Sequence, residues 1–268
     1  MLKKLLKYDF QAVFKYFIPM SIAMLVFSCL ATLTFRIDSS DLSNDQSLLG
    51  IIAAFAIAGY IFIFIAYSII TQALIVINFF KSMATDTGYL THTLPVKKTS
   101  IILSKVIMAE AVMLIMYLVL SLSLMIFLDV PTNFGLYHNA LSTIVNFIIS
   151  EIGTGMFAYF VISFIVLFLV APLMSCSIFY VSIAFGQLMN RHKVIGSFVA
   201  YFVIMFVIQI ISTIFSFFIG NVTVNTVEDV TNTMLPVFFT GFTVFELALS
   251  FIALFLTNWI FTKKLNLD

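Results

Sequence analysis

The architecture of this chain follows from residues 48–76, which read LLGIIAAFAIAGYIFIFIAYSIITQALIV. No Asp, Glu, Lys or Arg interrupts this run. A helix needs about 20 mostly apolar residues to cross the roughly 30 Å of hydrocarbon in a bilayer. A strand of an outer-membrane barrel would alternate apolar and polar side chains, whereas Ile61-Phe62-Ile63-Phe64-Ile65 is apolar throughout. The run therefore predicts a membrane-spanning helix.

The composition of the whole chain supports the same conclusion. Hydrophobic residues make up 62% of the 268 residues and charged residues only 9%. Soluble domains carry roughly 25% charged residues, because a folded surface must face water. A chain with about a third of that fraction is expected to have lipid as its main solvent. Soluble enzymes, nucleic-acid-binding proteins and disordered tails are excluded.

Five further stretches have the character of residues 48–76. Together the six predicted spans lie near residues 17–35, 48–76, 101–128, 155–185, 194–219 and 237–261. The sequence therefore predicts an all-α membrane protein with six transmembrane helices, folded as a single transmembrane domain that covers residues 1–268.

Basic residues orient this bundle, because cytoplasmic loops carry an excess of Lys and Arg. Of the 13 basic residues, only Arg36 falls in the loops of one side. The others lie before the first span, between the second and third, between the fourth and fifth, or after the sixth: Lys3, Lys4, Lys7, Lys15, Lys81, Lys97, Lys98, Lys105, Arg191, Lys193, Lys263 and Lys264. This distribution predicts a multi-pass protein of the plasma membrane with both termini in the cytoplasm.

Residues 2–16 form an amphipathic segment ahead of the first span. Apolar and basic positions recur on two faces of a helix: Leu2, Leu5, Leu6, Phe10, Val13 and Phe14 on one, and Lys3, Lys7, Gln11 and Lys15 on another. Such a helix lies along the membrane interface, with its apolar side in lipid and its lysines among anionic headgroups. It would anchor the first span or serve as a platform for a cytoplasmic partner, and the residue pattern alone favours the anchor.

The cytoplasmic segment from Asn78 to Ser100 is longer than the roughly two to eight residues that commonly connect antiparallel helices. Residues 86–88, Asp-Thr-Gly, supply turn and cap chemistry, and Pro95 disfavours helical conformation at Leu94. Residues 89–93 fit one short helix parallel to the membrane, on which a partner could dock. They fit a solvated turn equally well.

This loop also resembles the signature of exporter-type (type-2) ABC transporter permeases, in particular the small permeases of Gram-positive bacteria. The resemblance rests on the run from Asp86 to Val96, on Lys97-Lys98-Thr99-Ser100, and on Ser104-Lys105. In that family an acidic residue, a small residue and Gly lead into a short helix, then a Pro and a hydroxyl-rich start to the third span. Asp86 stands where the family commonly has Glu.

The resemblance implies a permease that pairs with a second copy or a paralogue and docks on cytoplasmic ABC ATPase subunits, which bind ATP and Mg. Residues 2–16 would be an interface helix and residues 88–94 a coupling helix. The implied docking residues of the coupling segment are Asp86, Gly88, Tyr89, Leu90, His92, Leu94, Pro95, Lys97 and Lys98, and the implied secondary contacts are Lys3, Lys4, Lys7, Arg191, His192 and Lys193. Residues 222–236 would form re-entrant helices on the outer side.

Two acidic residues fall inside predicted spans. Glu110 lies in the third span and Glu246 in the sixth, both near mid-depth, and no Lys or Arg lies at a comparable depth in the sequence pattern. An ionised acid at the bilayer centre costs about 2.5–3.5 kcal/mol on insertion scales. We expect each to be protonated, hydrogen-bonded to another helix, or facing a wet cavity. Interhelical contacts are favoured, and a translocation path or proton relay is the functional alternative.

The sequence predicts no enzymatic activity of its own, no cofactor on this chain and no nucleic-acid partner. The phosphate-binding string G-x-x-x-x-G-K-[ST] does not occur in it. His92, His138 and His192 are scattered in predicted loops and do not form a metal-ligand pattern. Two alternatives to an ABC permease stay open: an ion- or proton-coupled carrier that uses Glu110 and Glu246, and a membrane immunity protein that transports nothing.

Overall fold

The structure is a computed structural model that describes residues 2–40, 48–85, 98–128, 153–189, 192–220 and 235–263, together with residues 142–143, 145–146 and 149–150. Within these ranges the backbone is helical except at Thr85, Gly153, His192 and residues 187–189, and it contains no strand. The long helices are α1 (Leu2–Ser40), α2 (Leu48–Ala84), α3 (Lys98–Leu128), α4 (Thr154–Gly186), α5 (Lys193–Gly220) and α6 (Leu235–Lys263). Each covers one predicted span.

All six helices are long and apolar enough to cross a membrane. The predicted all-α fold with six spans is therefore confirmed for the part of the chain that the structure describes. The predicted bounds of the last four spans agree with the helices to within three residues. Helix α2 runs eight residues beyond its predicted end, to Ala84, because Asn78, Lys81 and Ser82 are compatible with helix once the apolar span has formed.

Helix α1 is one continuous element of 39 residues. The residue pattern predicts 2–16 and 17–35 as successive segments, but no break separates them in the structure. At 1.5 Å per residue the helix is about 58 Å long, nearly twice the hydrocarbon thickness. Val13, Phe17 and Met24 are all buried on the same face, so the packed side of the span extends into the amino-terminal segment. Pro19 lies inside the helix without ending it.

The chain packs as two compact units. The α1 unit comprises Lys7–Ile75 and Ala111–Asn146, and therefore contains most of α1, most of α2 and the second half of α3. Its helices are joined by Tyr67, whose hydroxyl lies 2.8 Å from Ser21 Oγ, and by Tyr60, whose hydroxyl lies 2.9 Å from Ser123 Oγ. Tyr60 also stacks on Phe127 with ring centroids 4.4 Å apart.

The α4 unit comprises Met1–Leu6, Val76–Glu110 and Phe147–Asp268. Helix α4 lies at its centre and packs extensively against α5 and α6, which contact each other much less. Aromatic pairs mark the contacts of α4, Phe160 with Phe239 and Phe179 with Tyr201, and Phe215 stacks on Phe245 between α5 and α6. Helix α5 exposes much of its apolar surface, as expected for a helix that faces lipid; Phe202 and Phe206 are each 68% exposed.

Candidate functional site

The predicted coupling segment is bounded by the end of α2 and the start of α3, and both ends belong to the α4 unit. Most of its predicted docking residues lie outside the described residues: Asp86, Gly88, Tyr89, Leu90, His92, Leu94, Pro95 and Lys97. Lys98 is described, as the first residue of α3. The structure therefore shows which contacts hold the two ends of this segment.

Three buried rings hold these ends against α4 and α6. Phe79 of α2 stacks on Tyr180 of α4, with ring centroids 3.8 Å apart and planes 12° from parallel. Phe79 also meets Phe261 of α6 edge-on, at 5.9 Å. All three side chains are fully buried. Phe79, Tyr180 and Phe261 form an aromatic cluster. Each ring pair of this kind stabilises a fold by about 0.5–1.5 kcal/mol, in addition to the contribution of the apolar surface that it buries.

Two hydrogen bonds to the backbone bring the start of α3 into the same assembly. The Tyr180 hydroxyl donates to the backbone oxygen of Lys105, at 3.1 Å. Lys98 Nζ donates to the backbone oxygen of Phe261, at 3.1 Å. That oxygen is one of the last four carbonyls of α6, which have no partner within their own helix. A cation there also compensates the negative end of the helix dipole, so Lys98 caps α6.

The structure describes all of the predicted secondary docking residues except one. Lys3, Lys4 and Lys7 are exposed on α1, and His192 and Lys193 are exposed at the start of α5. Arg191 lies outside the described residues. Because the located residues are accessible, they satisfy the first requirement of a docking surface; their role as contacts stays a prediction.

The connection between α4 and α5 is compact because two glycines face each other there. A Cβ atom added to Gly186 would come within 2.7 Å of the Ser197 Cα atom, and one added to Gly196 would collide with the Met189 side chain. The Met189 amide donates to the Gly186 oxygen at 3.2 Å, and the Gly196 amide to the His192 oxygen at 2.8 Å. Only glycine fits at these two positions without displacement.

Glu110 and Glu246 are each partly buried in the α4 unit. One carboxyl oxygen of each, Oε2, is buried and has no hydrogen-bond partner among the described residues. Ser250 Oγ bonds the backbone oxygen of Glu246 at 2.7 Å, not its carboxyl group. The interhelical hydrogen bond favoured from sequence is therefore not formed by these two oxygen atoms within the described part of the chain.

Several important residues carried no distinguishing signal in the sequence. Phe79 and Phe261 are two of 32 phenylalanines, and Tyr180 is one of ten tyrosines in a uniformly apolar context. Gly186 and Gly196 lie on either side of the predicted α4–α5 loop, and that spacing could have indicated a close approach. Across the described ranges, no group of three or more His, Cys, Asp or Glu residues is placed to hold a metal ion.

The fold and charge pattern define the class: a chain with six helices able to span a membrane, as in multi-pass membrane proteins. In comparisons with protein-family models, with curated proteins and with solved structures, nothing matches this chain.

Proposed function

We propose that this chain is the transmembrane permease subunit of an ABC exporter in the bacterial cell membrane, with both termini in the cytoplasm. It pairs with a second copy or a related permease and moves a peptide, lipid or drug-like cargo outward. Separate cytoplasmic ATPase subunits bind and hydrolyse Mg-ATP. Residues 2–16 and the segment 88–94 are the surfaces on which those subunits dock. Of the predicted re-entrant segment 222–236, residues 222–234 lie outside the described residues, and Leu235 and Pro236 begin α6.

The aromatic cluster is the observation that best supports this proposal. A permease must convert movement of a cytoplasmic partner into movement of its spans, and such a link requires packed elements that shift together. Phe79 fixes the α2 end of the coupling segment to α4 and α6, and Lys98 fixes the α3 end to α6. A displacement of the segment between them is thereby passed to α4 and α6 rather than absorbed at the loop.

The experiment that tests the proposal begins with purification of the tagged chain from its native membrane. We expect an ATPase subunit to co-purify in stoichiometric amount. Leu94→Asp places a charge on the predicted coupling helix and should abolish both co-purification and ATPase stimulation. The matched control is Leu136→Asp, the same substitution in the loop on the opposite side, which should leave both unchanged. Equal behaviour of the two variants would contradict the docking assignment.

A second function is favoured by the two buried carboxyl oxygens of Glu110 and Glu246. Acidic groups of this kind inside a membrane serve as proton-relay sites in ion-coupled carriers. Such a carrier would transport cargo without ATP and would stop when the proton gradient is collapsed. Glu110→Gln and Glu246→Gln would then abolish uptake or export, while an ABC exporter with the same substitutions would keep its ATP dependence.

A further inference from the structure

The α4 unit contains an open groove between the start of α3 and the end of α6. Its volume is about 300 Å³, close to the lower limit of cavities that bind small molecules. One wall is the α3 face that carries Thr99, Leu103 and Val106, and the other is the α6 face that carries Phe251, Phe255 and Asn258. The groove follows the two helices from their lysine-rich ends toward the membrane interior.

The lining of this groove changes along its length. Thr99 and Asn258 lie at the end nearest the coupling segment, and the remaining lining side chains are apolar. Phe251 and Phe255 are 67% and 69% exposed, and Leu103 is 49% exposed. A polar end at the level of the headgroups and an apolar remainder at the level of the acyl chains match the polarity of a phospholipid.

Two groups at the polar end have unused hydrogen-bonding capacity among the described residues. Asn258 Oδ1 is buried and has no hydrogen-bond partner among the described residues. Lys98 Nζ uses one donor for the Phe261 oxygen, and an ammonium group has three donors. Phe261 lies one helical turn beyond Asn258, so the Lys98 cation is close to the groove. This end therefore offers a positive charge and an acceptor that requires a donor.

A second groove in the same unit provides the contrast. It lies among α4, α5 and α6 and has a volume of about 240 Å³. Every residue that lines it is apolar, from Met174 and Phe185 on α4 to Leu256 on α6. This surface suits any acyl chain equally and has no means of selecting a headgroup. Of these two grooves, we expect only the α3–α6 groove to select lipids by their headgroup.

We propose that the α3–α6 groove binds one anionic phospholipid with a hydroxyl-bearing headgroup, from the leaflet on the lysine-rich side. Its phosphate accepts a hydrogen bond from Lys98, and a headgroup hydroxyl donates to Asn258. One acyl chain lies along Leu103, Val106, Phe251 and Phe255. This lipid site does not depend on the proposed transport function, because it requires only that these helices span a membrane.

The chain contains its own reporter for this site. Trp259 is the only tryptophan of the sequence, follows Asn258 directly and is 36% exposed. Bromine atoms on lipid acyl chains quench tryptophan fluorescence at short range. The full-length protein is reconstituted in vesicles of phosphatidylcholine that contain either brominated phosphatidylglycerol or the same mole fraction of brominated phosphatidylcholine. We expect stronger quenching by the anionic lipid, and we expect unbrominated phosphatidylglycerol to reverse it.

Two substitutions and one matched control separate a specific site from general enrichment of anionic lipid. Lys98→Met should lower the preference for phosphatidylglycerol about fivefold, since one basic residue near an anionic membrane contributes about that factor. Asn258→Leu retains every lysine and should lower it about threefold, the value of an average hydrogen bond between polar groups in a membrane. Lys193→Met removes an exposed charge at the start of α5, which lines neither wall of the groove, and should lower the preference much less than Lys98→Met does.

Three results would overturn the proposal. Equal quenching by the two brominated lipids would show only non-selective contact with bulk lipid. Equal effects of Lys98→Met and Lys193→Met, with no effect of Asn258→Leu, would show general attraction to the surface charge. If a second copy of the chain occupied the groove, lipid would enter it only after the two copies separated. Quenching by both lipids would then increase only as the protein is diluted in lipid.

Discussion

The α1 unit and the α4 unit are both built from apolar helices, but their tyrosine hydroxyls have different kinds of partner. In the α1 unit, tyrosine hydroxyls meet serine hydroxyls: Tyr67 with Ser21, and Tyr60 with Ser123. In the α4 unit, side chains donate to backbone oxygens: Tyr180 to Lys105, Lys98 to Phe261, and Tyr159 to Pro236. A bond between two side chains is lost when either residue changes, whereas a backbone acceptor is present whatever its side chain.

This difference indicates where each unit can tolerate change. Lipid is as apolar as leucine, so helices in a membrane associate through close packing and polar contacts rather than through the hydrophobic effect. The α4 unit relies on close packing, at the aromatic cluster and at Gly186. The α1 unit relies more on paired hydroxyls. Substitutions that create or remove volume should therefore affect the α4 unit most.

The largest effect is expected from Phe79→Ala. The Phe79 ring is fully buried against Tyr180 and Phe261, and the substitution leaves a cavity at the centre of the cluster. Loss of a buried phenylalanine costs about 3–5 kcal/mol. Phe62, on the same helix but in the α1 unit, is 73% exposed, so Phe62→Ala is the matched control and should cost far less. Thermal unfolding of both variants in one detergent measures the difference, and equal losses would refute the packing argument.

Gly186→Ala should have the second-largest effect. The added methyl group would overlap the backbone of Ser197, and overpacking of this kind costs about 1–3 kcal/mol. A Cβ atom at Gly59, in the α1 unit, would meet nothing within 4 Å. Gly59→Ala should therefore stabilise the helix by up to about 1 kcal/mol, because alanine is the better helix former. The two substitutions are chemically identical, and their free energies of unfolding should change in opposite directions.

The sequence predicted these helices well and their contacts poorly, for a physical reason. Apolar length alone places a helix in the membrane, so the six spans could be read from hydropathy. Contact between spans depends on shape, and Phe79 cannot be distinguished by composition from Phe62. Lys98 illustrates the same limit: the charge pattern groups it with the other lysines of its loop, but its bond to the Phe261 oxygen depends on how α3 lies against α6.

The smallest change in stability is expected from substitutions at the hydroxyl pairs. These substitutions test most directly whether the two units differ in their hydrogen bonds. Tyr60→Phe and Ser123→Ala each break one 2.9 Å contact, and the remaining group loses a partner in a medium without water. A double-mutant cycle should give a coupling of about 0.6 kcal/mol, the average for polar contacts in membranes.

Tyr180→Phe with Lys105→Met is the corresponding pair in the α4 unit. Because the Tyr180 hydroxyl bonds the backbone oxygen of Lys105, which the Lys105→Met substitution retains, that bond should contribute nothing to the second cycle. A coupling in the second cycle as large as in the first would show that the Lys105 side chain, and not its backbone, holds Tyr180.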